Sequence, residues 1–221
     1  MSTRVPQRTY GGVSAGERIA ARRAKLLDAG LDLFGTQGFA ATGVKDICRT
    51  AGLTDRYFYE SFADSEALFL AVFDGLTDEL FRSVAEAVVA GEDDAESQLR
   101  NAISVFIQAL AADPRKPRVL FTEAAAAGPS AAAHMRTTLR RFAELVAATA
   151  RHHLPAATPD ADVQLVSLSL VGLLERVITE REAGALEIPV DRLVDRCVAL
   201  YLLFLGAVSD EFSSPTPSKG S

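Results

Sequence analysis

The 221-residue chain is poor in cysteine, in histidine and in long apolar runs, and each shortage closes off a class of protein. Its two cysteines, Cys48 and Cys197, lie far apart in apolar helical contexts. They read as small buried residues in a reducing compartment, not as a disulfide framework. The three histidines, His134, His152 and His153, have no Cys or His at ligand spacing, so no metal is expected. The adjacent pair points in different directions and reads as solvated helix-end residues. The apolar run Ala199 to Val208 falls far short of the ~20 residues that cross a bilayer. The opening MSTRVPQRTYGG lacks the apolar core of a signal peptide, so a cytoplasmic protein with no membrane partner is expected. Strand alternation, internal repeats and a phosphate-cradling glycine loop are also missing. Ser167 and Ser169 sit in a greasy helix without a base and read as packing residues. With no catalytic constellation, neither an enzyme nor a cofactor is expected.

What is present is helical periodicity. Hydrophobic residues make up 48% of the chain, enough for a sizeable core. A polar, glycine-bearing stretch over 1–16 reads as a flexible basic arm. A first helix is expected over 17–36, with Ile19, Leu26, Leu27, Leu31 and Phe34 on one face and Gly38 as its stop. A long helix follows over 64–90, with Asp64 as its cap and Leu68, Phe69, Val72, Phe73, Leu76 and Leu80 at helical spacing. Further helices are expected over 95–112, 130–153, 159–182 and 190–212. A short segment from Asp113-Pro114 to Ala126 and a disordered tail over 213–221 complete the chain.

Between the first helix and the long one lies the most informative stretch, TGVKDICRTAGLTDRYFYESF, residues 42–62. Val44, Ile47 and Cys48 give a short helix one apolar face, with Thr42 as a plausible cap. Gly52 supplies the positive-φ backbone that ends that helix, and Ala51 permits a close approach of the next. Thr54 can cap a second short helix, whose Phe58 and Phe62 return to the core at i, i+4. This is a helix-turn-helix, a motif whose second helix lies in a DNA major groove. Double-stranded DNA is therefore the leading partner.

The net charge of −6 looks hostile to DNA, but the charge is unevenly placed. Residues 1–62 hold nine Lys/Arg against six Asp/Glu, so the acidic excess belongs entirely to the remainder. A mildly basic end on an acidic body suits a protein that turns one face to phosphate. Arg4, Arg8, Arg18, Arg22 and Arg23 make a basic arm able to reach the adjacent minor groove.

The residues Ala29, Leu33, Phe34, Gly38, Phe39, Thr42 to Ile47, Ala51 to Thr54, Phe58, Tyr59, Phe62 and Glu66 to Phe69 resemble the tetracycline-repressor (TetR) family of transcriptional regulators. The resemblance implies an all-α fold: a three-helix DNA-binding domain over 17–63 and a helical ligand-binding and dimerisation domain over 64–212. It also implies roles. Lys45 matches a cation that meets DNA, and Thr42 a hydroxyl near the backbone. Thr54, Asp55, Arg56 and Tyr57 match the base-facing start of the recognition helix. Tyr59 matches a tyrosine that meets phosphate. Arg56 is the best base reader, since a guanidinium pairs bidentately with guanine. Departures exist: Gly43 replaces a frequent hydroxyl residue, Ser65 a common lysine, and Asp55 and Glu60 bring carboxylates near the phosphates.

The body offers Phe106, Leu110, Phe121, Met135, Phe142, Leu145, Leu168 and Val171 as the lining of an apolar pocket. Glu123 and Glu175 interrupt apolar stretches and could face a ligand's polar group, although a solvent-facing or salt-bridged role is the better reading of each. A largely apolar small-molecule effector is implied. The last two helices are apolar all round, which asks for cover on every side. A homodimer through Leu170, Leu174, Val198, Tyr201, Leu202 and Leu205 would supply it. The expected function is a homodimeric, effector-released regulator, most often a repressor in this family, on a palindromic operator. The alternative is a ligand-binding protein of the same fold with weak or lost DNA binding.

Overall fold

The computed structural model describes residues 14–213, and the side chains of 14–208. Arg4 and Arg8 of the expected arm, and the tail after Ser213, lie outside the described residues. Within them every regular element is a helix. The order is α1 (Ala15–Thr36), α2 (Val44–Ala51), α3 (Asp55–Tyr59), α4 (Ser65–Val89) and α5 (Ala95–Ala111). Then come α6 (Arg115–Pro117), a π-helical stretch (Arg118–Glu123), α7 (Ala124–Ala126), α8 (Pro129–His153), α9 (Asp160–Glu182) and α10 (Val190–Ser213). No described helix is long and apolar enough to cross a membrane.

Local chemistry sets the ends. Ser14 Oγ accepts from Glu17 N–H at 3.1 Å while the Glu17 carboxylate accepts from Ser14 N–H at 2.6 Å. This reciprocal capping starts α1 at Ala15, inside the stretch expected to be flexible. The same bonds hold the Glu17 carboxyl below its ordinary pKa. Asp64 caps α4 by accepting from Ala67 N–H at 2.8 Å.

Two expected caps fail. Gly43, not Thr42, is the cap position of α2, and Asp46 accepts the Gly43 N–H. Thr42 is buried and its hydroxyl donates back to the Gly38 carbonyl at 2.7 Å. That local bond consumes the side chain that capping would have used. Thr54 does hold the cap position of α3, but its hydroxyl makes no capping bond.

The N-terminal helices are welded to α4 by aromatic packing. Phe34 and Phe39 each meet the Phe69 ring of α4 edge-on at 5.3 Å. Ile47 of α2 and Phe58 of α3 are fully buried beside Leu26. Each such side chain contributes about 1.5–3 kcal/mol by leaving water. Ile19, expected on the same face of α1, is instead half exposed, because α2 and α3 cover only the later turns. Beyond α4, helices α5, α8, α9 and α10 form the body, with α8 packed along α9 and α10 against α5.

Candidate nucleic-acid interface and effector cavity

The turn between α2 and α3 is made by Gly52 at φ +65°, and Leu53 N–H donates to the Cys48 carbonyl at 2.9 Å. Only glycine takes that backbone without strain. The turn leaves Phe58 as the buried anchor of a five-residue helix whose other side chains face outward. Thr54, Asp55, Arg56 and Tyr59 are exposed, and so are Lys45 and Arg49 on α2. Tyr57 and Ser65 are half-buried. Six of the eight expected DNA-facing residues, Lys45, Thr54, Asp55, Arg56, Tyr57 and Tyr59, are therefore exposed or half-buried on α2, α3 and the turn between them. The buried Thr42 does not join them, and Ser65 sits in the first turn of α4.

The electrostatics of this surface were only partly legible. Arg56 is 84% exposed and its Nε donates to Glu60 at 3.1 Å. Glu60 also faces Arg22 at 3.7 Å, so its carboxylate lies between two guanidinium groups. The feared carboxylate is thus paired, which lowers its repulsion of phosphate. Arg22 stacks over the Tyr57 ring at 4.2 Å. Arg23 stacks over Phe62 and donates to the Ser61 carbonyl at 3.0 Å. These two arginines, on α1, brace α3 and the residues just after it and are not parts of a loose arm. Their α-helical spacing on a capped α1 was the signal that sequence reasoning passed over.

In the body, α4, α5, α8, α9 and α10, together with the π-helical stretch, surround a cavity of about 1010 Å³ that includes its open mouth. Phe106, Phe121, Met135, Phe142, Val171 and Glu175 line it, as do Leu145 and Val146. Two expected lining residues do not. Leu110 is buried in the core away from the cavity, and Leu168 is 51% exposed on the outer face of α9. Polar groups in the lining are few. His153 Nε2 lies 3.0 Å from Gln98 Oε1, at the junction of α5 and the end of α8. His153 therefore belongs to the cavity wall and not to solvent, unlike His152, which meets Asp93. Tyr201 is buried in the wall, and burial pushes that phenol above its ordinary pKa.

The side chains expected to form a dimer interface look inward. Leu170, Leu174, Tyr201 and Leu205 line the cavity, Val198 is buried and Leu202 is half-buried. The helices thus have an inner and an outer apolar face, and in the single chain these residues lie mostly on the inner one. The outer face carries Leu165 and Leu168 on α9 and Leu200, Leu203 and Phe204 on α10, all exposed.

Comparison with known proteins gives this geometry a context. Residues 26–72 match the family model described as bacterial regulatory proteins, tetR family. The HTH-type transcriptional activator FasR of Mycolicibacterium smegmatis is 28% identical over 142 residues, covering 63% of this chain and 64% of that protein. The HTH-type transcriptional repressor KstR2 of Rhodococcus jostii is 36% identical over 72 residues, covering 33% of this chain and 35% of its own. The matches thus span under two thirds of the length of these curated relatives. Among solved structures, a TetR-like transcriptional regulator from Rhodococcus sp. RHA1 superposes with a TM-score of 0.69 at 23% identity, over 92% of this chain and 99% of that one. The regulator FadR from Bacillus subtilis in complex with stearoyl-CoA superposes at 0.68 and 16% identity, over 84% and 97%. At such identities these likenesses establish the fold.

Proposed function

We propose that the chain, whose residues 26–72 match the model for bacterial regulatory proteins of the tetR family, is an effector-responsive transcriptional repressor of that family. It binds a palindromic operator as a homodimer and leaves it when a small molecule fills the cavity. The observation that carries this reading is the exposed α3 face, where Arg56 and Tyr59 stand clear of a core anchored by Phe58. Arg56 reads a guanine edge, while Tyr59, Lys45 and Ser65 hold phosphate and set register. Thr54, Asp55 and Tyr57 flank Arg56 at the groove. The domain division at residue 63 assigns this work to the first three helices and effector binding to the rest.

The homodimer forms through the outer apolar face of α9 and α10, whose five exposed leucine and phenylalanine side chains are otherwise left in water. The effector is a molecule with a long apolar portion, since the cavity wall is mostly hydrocarbon, with the Gln98–His153 pair, Glu175 and Tyr201 among its polar members. A long acyl chain suits that wall, and the stearoyl-CoA complex of the Bacillus subtilis protein supports the choice. The effector acts by population shift, binding the non-operator conformation more tightly than the operator-bound one.

The direct test is fluorescence anisotropy of the purified chain with DNA from upstream of its own gene, at two salt concentrations. Tight binding that weakens steeply with salt supports the reading. The second reading, a ligand-binding protein without useful DNA affinity, draws on the Arg56–Glu60 pair and the acidic body. Weak, sequence-indifferent binding would favour it.

A further inference from the structure

The π-helical stretch Arg118–Glu123 touches both ends of the molecule's business. On one side Leu120 and Phe121 line the cavity. On the other, Glu123 and Arg118 grip the end of α1 and the loop that leads to α2. Glu123 is buried, and its Oε2 accepts the Phe39 N–H at 2.8 Å. Its Oε1 accepts from Arg118 Nε at 3.2 Å, and Arg118 Nη1 donates to the Thr36 carbonyl at 2.7 Å. Gly38, at φ +90°, brings its backbone so close that a Cβ there would lie 3.0 Å from the Glu123 carboxylate. One turn earlier, Arg115 packs against Gly35 of α1 and reaches Asp32 at 3.3 Å.

We propose that Glu123 is a positioning residue through which cavity occupancy sets the orientation of the DNA-reading helices. The inference rests on the cavity being the effector site. A π-helical register is a rare way to carry a helix, with one residue more per hydrogen-bonded turn than the α form. Here it turns Leu120 and Phe121 toward the cavity while Glu123 faces the opposite way, onto Phe39. A ligand that displaces the two apolar side chains moves the same short segment that holds Phe39 and Thr36. Phe39 packs on Phe34 and Phe69, and the chain then runs through the Thr42–Gly38 bond into α2. The displacement is delivered to the loop that fixes α2 and α3 relative to the body. Glu123 touches neither DNA nor the cavity itself, so its role is transmission.

The test uses the full-length chain as wild type, Glu123→Gln and Leu120→Ala, with stearoyl-CoA as the cavity probe and a duplex selected by the wild type from a random pool. Probe binding is read by calorimetry, DNA affinity by anisotropy, and the 36–42 loop by hydrogen exchange. The expected result is that probe lowers wild-type DNA affinity at least tenfold. Glu123→Gln should bind probe with an unchanged constant yet lose most of that response, falling below threefold. A wild-type-sized response in Glu123→Gln with probe bound overturns the proposal. If stearoyl-CoA fails to bind even the wild type, the acyl-chain assignment fails separately, and the link is judged without ligand. Leu120→Ala, a change on the cavity side alone, should then speed exchange of the Phe39 amide at least threefold in the wild-type background but not in Glu123→Gln. Equal effects in both backgrounds, or none in either, overturn it.

Discussion

Leucine 203 offers the sharpest single-residue test of how two copies associate. It stands 69% exposed in the middle of α10, where Leu200 and Phe204 are also exposed, as are Leu165 and Leu168 of α9. Fully burying a leucine is worth about 1.5–3 kcal/mol, so covering its exposed part contributes about 1–2 kcal/mol per subunit. A two-fold axis counts every change twice, giving about 2–4 kcal/mol for the pair before any penalty for burying charge. Leu203→Glu removes that gain and places two carboxylates in an apolar seam, where desolvation adds several more kcal/mol. At about 1.4 kcal/mol per decade, the dimer dissociation constant should rise at least a hundredfold. Sedimentation equilibrium measures it directly. The folded protomer should be almost unaffected, since position 203 faces water in the single chain, and circular dichroism should show the same helix content and thermal midpoint. The contrasting variant is Leu170→Ala, on the inner face and 2% exposed, which should cost the protomer about 2–5 kcal/mol of stability without a selective effect on association. The reasoning is refuted if Leu203→Glu stays dimeric with its wild-type constant, or if Leu170→Ala dissociates the dimer while leaving stability intact.

Other consequences are as specific. Arg56→Ala should lower affinity for a selected duplex by about 1–3 kcal/mol, about fivefold to 150-fold, while leaving affinity for scrambled DNA nearly unchanged in anisotropy titrations. Gly38→Ala should lower the urea midpoint, because φ +90° costs a side chain about 1–2 kcal/mol and the new Cβ meets the Glu123 carboxylate. An unchanged midpoint would mean the loop can reshape freely. Both thiols are buried, and burial raises their pKa above the ordinary value, with Asp55 adding to the effect at Cys48. A raised pKa keeps the unreactive neutral thiol dominant at pH 8, so neither cysteine should react with a disulfide reagent in the native state, and both should react in urea. Rapid native labelling of either would contradict the packing.

The head of the molecule was more legible in the sequence than the body, for a physical reason. Gly52, Phe58 and Asp64 act through their own backbone neighbours, so their spacing alone announces a turn, an anchor and a cap. Thr42 is ambiguous within the same stretch because a threonine can either cap forward or bond back, and here the Gly38 carbonyl is in reach. In the body, α9 and α10 carry apolar residues on both sides of the axis. Periodicity cannot tell an inner face from an outer one there, so the sequence does not distinguish the exposed Leu168 from the buried Leu170. The Gln98–His153 pair and the grip of Glu123 on Phe39 join residues remote in sequence. Nothing in either local stretch announces them. The π-helical register is equally silent, since RVLFTE reads as ordinary helix.

Selection of duplexes from a random pool by the purified wild-type chain, followed by sequencing and by stoichiometry on the winning site, bears most directly on a paired reader of DNA. The account predicts an enriched inverted repeat that binds two chains and is lost when Lys45 and Arg56 are both changed to glutamate. A pool that emerges unenriched, or a single unpaired site held by one chain, would contradict it.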